Sequence, residues 1–516
     1  MAAPLACFLA LVWLVLHVAT AETSPVWPVL QLQFSVKRSS MGIFGRSNFS
    51  MMATPVASDD ATQVLYDVFA TFTHAATVYN YTVVNGKASL SSSGGALESA
   101  TKCLKAESEV LPPVNSIVAA LNQATAILSI PRDFQCSSDN LFKISVNSID
   151  FAVCATGTSG FTMHSSDLDV QVVYSWDYPG ILSNTAVQEC AAITQPTRIT
   201  PIGHSLLTGT PLDHGKSRKL AAAFDFSWGD SSCKCKSTPR PCIFIHGLGI
   251  KTELSKNQDS FEDYWGDDLP KHAPCCSSMK FAVLNTETSA WTDEKLQQKV
   301  CDRILTVGKT KSKSKISDTI IVAHSMGNLI FAGAIATGKC RLDTKTSTWV
   351  GLSGPMGGSM ASDYFQSACE DQAMAVVQQY VDIIGMCPIR GAVRSMANES
   401  GNYSSVVLNK AYVAAQKVYQ KNVDAVMCSG NGSGLVSLYQ VKFWLMHRLV
   451  PFKSKENDGM VEFDSCSGGL LASKFGNTWQ SRFYKSELNH YDTTFRAGDG
   501  LFNKAKMPLK WFECLL

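Results

Sequence analysis

Along the first third of the chain, apolar and polar residues alternate nearly one for one. The stretches 30–36 (LQLQFSV), 62–72 (TQVLYDVFATF), 76–84 (ATVYNYTVV), 141–153 (LFKISVNSIDFAV) and 168–176 (LDVQVVYSW) carry this period of two between turn residues. That is the pattern of half-buried strands in an antiparallel sheet. It is interrupted between Val114 and Leu128, where Pro112-Pro113 precedes a stretch that sets Val114, Ile117, Val118, Leu121, Ala124 and Leu128 on one helical face. Residues 22–190 are therefore predicted to form a β-rich antiparallel domain with a packed helix. No catalytic grouping is visible in it, so a structural or ligand-carrying role is expected.

From about 191 to 240 the periodicity lapses into Pro-, Thr-, Ser-, Gly- and Lys-rich sequence, which reads as a linker. Arg218-Lys219 within it is a solvated basic pair or a processing site. After Arg240 the pattern changes again. Short, wholly apolar runs at 242–247 (CIFIHG), 280–286 (KFAVLNT), 319–325 (TIIVAHS) and 347–354 (STWVGLSG) read as parallel strands buried on both faces. Between the second and third, Asp293 to Val307 places Leu296, Val300, Ile304 and Val307 on one helical face, with Asp293 and Glu294 at its positive end. Residues 241–516 are thus predicted to be an α/β domain, a mostly parallel sheet with helices on both faces. A helical cap is expected at about 360–440, from one stripe at Ala373, Val376, Val377, Tyr380 and Ile384 and another at Leu408, Tyr412, Ala415, Tyr419, Val423 and Val426. Such stripes either pack into a core or line a pocket. Lys309, Lys311, Lys313 and Lys315 read as a solvated loop.

Composition narrows the function classes. Lys and Arg number 45 against 43 Asp and Glu, a net charge of +2, so no global field draws the chain to nucleic acid. The apolar run Leu5 to Val18 followed by Ala19-Thr20-Ala21 predicts a signal peptide over 1–21, because the run is shorter than the roughly 20 residues of a membrane span. No later stretch reads as transmembrane, so a secreted protein is expected. Removing Cys7 from the 17 cysteines leaves an even number, consistent with complete pairing in an oxidising space. Cys103, Cys136, Cys154 and Cys190 can pair among themselves. That leaves Cys233, Cys235, Cys242, Cys275, Cys276, Cys301, Cys340, Cys369, Cys387, Cys428, Cys466 and Cys514 downstream. Asn48, Asn80, Asn398, Asn402 and Asn431 head sequons for N-glycosylation.

The chemistry gathers after residue 241. Ala323-His324-Ser325-Met326-Gly327 lies where an apolar strand gives way to the helical NLIFAGAIA. Small residues two before and two after a serine permit the tight strand-to-helix turn that exposes a nucleophilic hydroxyl. Upstream, His246-Gly247-Leu248-Gly249 is a Gly-rich turn at a strand end, so the Leu248 amide, with the Met326 amide after the nucleophile, is a candidate oxyanion donor. A serine hydroxyl needs a base, and the base an orienting carboxylate. Only His447 and His490 follow Ser325; His447 sits in the apolar VKFWLMHRLVPF and reads as a core or strand histidine, whereas His490 lies in a polar loop. Asp458 in a turn before a new apolar run is the candidate orienting acid, with Asp464 and Asp492 as alternatives.

These ordered motifs, HGLG, AHSMG, GPMGGS at 354–359, NDGMV at 457–461 and NHYD at 489–492, resemble those of the α/β-hydrolase superfamily, and within it the secreted, bacterial-type triacylglycerol lipases and esterases, over about residues 241–516. The resemblance implies the α/β-hydrolase fold and a serine hydrolase cleaving carboxylic esters, most often of lipids. It assigns Ser325 as nucleophile, Asp458 as acid, His490 as base, and Leu248 with Met326 as the oxyanion donors. Phospholipase, thioesterase and acyltransferase chemistry would use the same residues, and a noncatalytic lipid-binding or adhesion protein could keep the fold as scaffold. No organic cofactor is required. In some relatives the position of Asp492 helps bind a structural calcium. Expected partners are a lipid or other ester substrate and transient contact with a lipid surface.

Overall fold

The structure, a computed structural model, describes residues 27–43, 45–74, 76–94, 100–127, 136, 140–177, 187, 189–211, 232–308, 312–370, 387–432, 434–437 and 439–516. The signal peptide, Arg218-Lys219, the stripe Ala373 to Ile384, Leu128, Lys309 and Lys311 lie outside the described residues.

Alternation does produce an antiparallel sheet. Its strands are β1 (Val29–Val36), β2 (Asn48–Ala57), β3 (Gln63–His74), β4 (Thr77–Val84), β5 (Lys87–Ser93), β6 (Ala100–Cys103), β7 (Thr125–Ala126), β8 (Leu141–Val146), β9 (Ile149–Ala155), β10 (Gly160–His164) and β11 (Leu168–Ser175). They pair in the order β6-β5-β4-β3-β2-β1-β11-β10-β9-β8-β7, and β12 (Thr197–Arg198) adds to β3. One register step would turn each apolar set outward; pairing Leu32 with Met51 and with Val172 keeps all three in the core. Helix α1 is shorter than its stripe predicted. It spans Val114–Leu121, and the chain extends at Thr125–Ala126 to join the sheet edge.

Part of the expected linker belongs to this core. Helix α2 (Pro201–Thr208) starts with proline in its first turn, and the Thr200 side chain accepts from the Gly203 amide. Its Leu206 and Leu207 are buried in the same cluster as α1. Read as loop chemistry, Thr200-Pro201 is helix-start chemistry. At its far end the same stretch is tied into the second region through Cys233–Cys514 and Cys235–Cys275.

The second region is a parallel sheet of β13 (Arg240–Ile245), β14 (Cys276–Ala282), β16 (Ile320–His324), β18 (Thr348–Leu352), β19 (Ala425–Ser429), β20 (Phe475–Gly476) and β21 (Phe483–Ser486), with β15 (Lys315–Ile316) and β17 (Arg341–Leu342) as a separate pair. The order is β14-β13-β16-β18-β19-β21-β20. Burial on both faces accounts for the unbroken apolar runs: Ile243 and Ile245 enter one core, Cys242 and Phe244 the other. Helix α3 (Glu262–Trp265) covers the second face, while α4 (Glu294–Leu305) and α5 (Met326–Ala336) cover the first. Asp293 caps α4 by accepting from the Lys295 and Leu296 amides at 2.7 and 3.3 Å.

Within the expected cap stand α6 (Met360–Glu370), a short helix at Gly391–Arg394 and the helix Val406–Asn422, whose Tyr412, Ala415 and Tyr419 are fully buried in one core with Trp349 and Met356. That stripe packs into the core, and Val426 belongs to β19 instead of continuing it. His447 lies on a helix, Gln440–Leu449, not on a strand. All sixteen cysteines after Cys7 are paired, Cys103–Cys190 and Cys136–Cys154 in the first region and Cys242–Cys276, Cys301–Cys340, Cys369–Cys387 and Cys428–Cys466 completing the second. Eight bridges fit an oxidising, extracellular setting. Among the described residues no helix is long and apolar enough to cross a membrane.

The two regions meet on buried charge. The Arg38 guanidinium reaches the carboxylates of Glu513 and Asp499, and Glu513 also accepts from His272 at 2.7 Å and from the Cys233 amide at 2.6 Å. These donors outweigh burial and hold the Glu513 carboxyl down at about 2. Lys510 adds an ion pair to Asp167 at 2.7 Å.

Candidate active site

The elbow forms where β16 runs into α5. Ser325 has φ 52° and ψ −131°, a sparsely populated conformation for a residue with a Cβ. Small neighbours and a clamp sustain it. A Cβ on Gly327 would come within 2.7 Å of the His246 carbonyl and 2.9 Å of the Ile245 carbonyl, so only glycine lets the helix start this close to β13. The buried Asn328 amide group donates to the Ala323 and Leu352 carbonyls at 2.8 and 3.1 Å, locking the turn from within the helix.

Three side chains distant in sequence line up on this elbow. Ser325 Oγ lies 2.9 Å from His490 Nε2, and His490 Nδ1 lies 2.7 Å from Asp458 Oδ2. The Asp458 carboxylate is held in turn, Oδ1 accepting from the Met460 and Val461 amides at 2.9 and 2.7 Å, and the His490 amide donates to the Asp458 carbonyl. With Nδ1–H given to the carboxylate, Nε2 presents a lone pair to the serine hydroxyl. Of the alternatives, Asp464 stands on the short helix Phe463–Ser467 and is exposed, and Asp492 is buried two residues beyond His490.

The Gly-rich turn after β13 faces the serine. A Cβ on Gly247 would sit 2.6 Å from Ser325 Cβ and 3.1 Å from its Oγ, so this glycine is required by close approach. The peptide between Gly247 and Leu248 is fixed by its carbonyl, which accepts from Thr286 Oγ1 at 2.6 Å and from His246 Nδ1 at 2.9 Å. C=O and N–H of one peptide point in opposite directions, so holding the Gly247 oxygen aims the Leu248 amide the other way. Among the described residues, no acceptor takes up the amides of Leu248 or Met326. His246 Nε2 accepts from the Leu284 amide at 3.0 Å, and burial presses this imidazole down to about 4, so it stays neutral with its proton on Nδ1.

A second buried histidine stands beside the serine. The Gly247 amide donates to Tyr264 Oη at 2.7 Å, and Tyr264 Oη lies 2.6 Å from His324 Nδ1. His324 Nε2 is 3.1 Å from Thr493 Oγ1 and 3.2 Å from the His490 carbonyl, to which the Thr493 hydroxyl donates at 2.9 Å. Burial, with His490 and Arg496 nearby, drives His324 well below its ordinary value, so the ring is neutral. If Nδ1 carried the proton, the tyrosine hydroxyl hydrogen would have no acceptor, at a cost of about 1–3 kcal/mol for a buried group. The favoured arrangement therefore runs Tyr264 O–H to Nδ1, with Nε2–H toward Thr493 and the His490 carbonyl. His246 and His324 lie inside motifs legible in sequence; nothing local to Tyr264 or Thr286 marks them.

Ser325, His490, Leu248 and Tyr264 open onto a cleft of about 390 Å³ walled by Ile250, Phe261, Phe443, Met446, Met460 and Val461. Of the two roles open to the helical stripes, core packing falls to the helix Val406–Asn422, and the pocket lining comes from the helix Gln440–Leu449. Arg496 stacks on Tyr491 and Tyr264 with its guanidinium 3.8 and 4.8 Å from the ring centroids.

Among the described residues, the surroundings of Asp492 supply few groups for calcium. Its Oδ2 accepts from the Leu435 amide at 2.6 Å, and the nearby Gly434 carbonyl is taken by the Lys506 ammonium at 2.9 Å. Among the described residues, one carboxylate beside an ammonium falls short of the six to eight oxygen ligands that calcium takes. Among the described residues no group of three or more His, Cys, Asp or Glu is placed to hold a metal. Burial instead pushes the Asp492 carboxyl up to about 7.

Residues 238–467 match the family model described as "Putative serine esterase (DUF676)". Among solved structures, the chain is similar to the lipase of Staphylococcus hyicus at 11% identity and a TM-score of 0.30, covering 54% of this chain and 95% of that one. It is likewise similar to lipase 1 from Pelosinus fermentans at 12% identity and a TM-score of 0.29, covering 54% and 97%. No curated protein matches. Through the stretch that carries the elbow serine and the acidic turn, this chain is similar to that family of putative serine esterases.

Proposed function

We propose that the chain is a secreted serine hydrolase of the α/β-hydrolase fold that cleaves carboxylic esters of lipids through Ser325, His490 and Asp458. The observation that carries this reading is the hydrogen-bonded line from Ser325 Oγ through His490 to Asp458 at the mouth of an apolar cleft.

In the proposed reaction His490 Nε2 takes the Ser325 proton as Oγ attacks the ester carbonyl carbon. The developing oxyanion is held by the Leu248 and Met326 amides, the latter at the positive end of α5. Such a donor acts where charge develops, and losing one typically lowers turnover about 10²–10³-fold. Asp458 steadies the imidazolium, which then protonates the departing alkoxide. A water deprotonated by His490 attacks the acyl-enzyme, releasing the carboxylic acid and restoring Ser325. The cleft walls supply apolar surface for an acyl chain, which favours lipid esters over small polar ones.

The same reading takes residues 1–21 as a signal peptide, the antiparallel region as a separate domain, and the exposed sequons as glycosylated. Asn48 and Asn402 are exposed, whereas Asn398 is buried with its Oδ1 accepting from Lys453, so glycans are expected on the first two.

The test is active-site labelling with a fluorophosphonate and location of the adduct by peptide mass spectrometry. An adduct on Ser325, together with a loss of ester turnover on the order of 10⁶-fold in Ser325→Ala, is the expected result. An unlabelled, folded protein with its cleft opened by detergent would overturn it.

A further inference from the structure

We propose that Tyr264 and His324 are positioning residues that couple the oxyanion turn to the base, so that the Leu248 amide and His490 are set as one unit. The proposal rests on the hydrolase reading above and extends it to residues that take no part in the bond changes.

Each link has one direction. The Gly247 amide donates to Tyr264 Oη, the Tyr264 hydroxyl donates to His324 Nδ1, and His324 Nε2–H faces Thr493 Oγ1, whose hydroxyl donates to the His490 carbonyl. The chain of bonds joins four segments far apart in sequence, at 247, 264, 324 and 490–493. Its members His324 and Thr493 are buried, and Tyr264 is 8% exposed. Gly247 is thereby held at both ends, its amide by Tyr264 and its carbonyl by Thr286 and His246. Without the tyrosine hydroxyl, the amide end of the turn loses its anchor, while the acyl-facing ring of Tyr264 is kept by phenylalanine. What changes is the aim of the Leu248 N–H, a group that matters most once negative charge has formed on the substrate oxygen. The effect should therefore fall on the transition state and spare ground-state binding.

The test is Tyr264→Phe, assayed for ester turnover and for two inhibitors. A trifluoromethyl ketone that adds to Ser325 forms an oxyanion, and an ether analogue of the same substrate forms none. The expected result is a fall in kcat of about 10- to 100-fold with KM within twofold, a matching loss of ketone affinity, and unchanged ether binding. His324→Asn combined with Tyr264→Phe should cost no more than the larger single change, because both break one line of bonds. Fluorophosphonate labelling of Ser325 in both the parent and Tyr264→Phe keeps the hydrolase reading standing. With that labelling in place, ketone and ether affinities that move together, or not at all, would overturn the coupling. If the parent protein is not labelled, both the reading and the coupling fall.

Discussion

Both sheets of this molecule bury polar side chains, but at different places. In the antiparallel region the buried Asn115 brackets the backbone of Tyr66, accepting from its amide at 2.8 Å and donating to its carbonyl at 2.9 Å, and Lys102 pairs with Glu109 at 2.7 Å. These groups tie a helix and an edge to the sheet. In the parallel region His246, Thr286, His324, Ser325 and Asn328 cluster where strands end and their carbonyls run out. An antiparallel ladder leaves ends on both edges, each closed by a short turn. Parallel strands all finish on one side, so turns from distant parts of the chain converge there. The second arrangement brings Gly247, Ser325 and His490 together, and among the described residues the first has nothing comparable.

This contrast makes separable predictions. The largest effect on stability should come from Arg38→Met, which strands Glu513 and Asp499 in the buried joint between the regions. Breaking such a pair costs about 3–5 kcal/mol, read as a lower urea midpoint, while kcat per folded molecule should be unchanged. A parallel loss of kcat would show that the antiparallel region shapes the site.

Some of this was legible beforehand. Two periods of hydrophobicity separated the sheets, and cysteine parity with grouping separated the bridges at residue 190. Ser325 and His490 followed from a motif and from chain order, because the elbow's constraints are local. The clamp on the Leu248 peptide was not legible. Thr286 reaches Gly247 across 39 positions, and only the β13–β14 pairing brings them together. The stripe at Leu408 to Val426 had the right period but no way to announce its partner, and Tyr419 turned out to face Trp349 in the core.

Thr286→Val should sharpen the contrast from the other side. It keeps the shape and removes the donor that fixes the Gly247 carbonyl, so kcat should fall about 10-fold through misaimed geometry while the urea midpoint moves little. A normal kcat would mean His246 alone holds the peptide.

At neutral pH the last effect is silent, and it emerges only on acidification. His246 is held down at about 4 in the fold against an ordinary value near 6.5, so the unfolded chain binds a proton that the folded chain refuses. Its contribution is complete above about pH 6.5 and is lost as pH falls toward 4, at up to about 1.4 kcal/mol per pH unit. His324, lowered in the same direction, adds to the slope. His246→Asn should flatten the dependence of the urea midpoint on pH between 6.5 and 4. An unaltered slope would assign the acid sensitivity to other groups.

The Cys233–Cys514 bridge spans 281 positions and joins the entry of the parallel region to its last helix. It makes that region a covalent ring. Tension applied between those two points would pass through a single sulfur–sulfur bond and leave the strands unloaded. A cleft mounted on such a ring would keep its shape under a pull between those two points, and would begin to yield to that pull only after reduction.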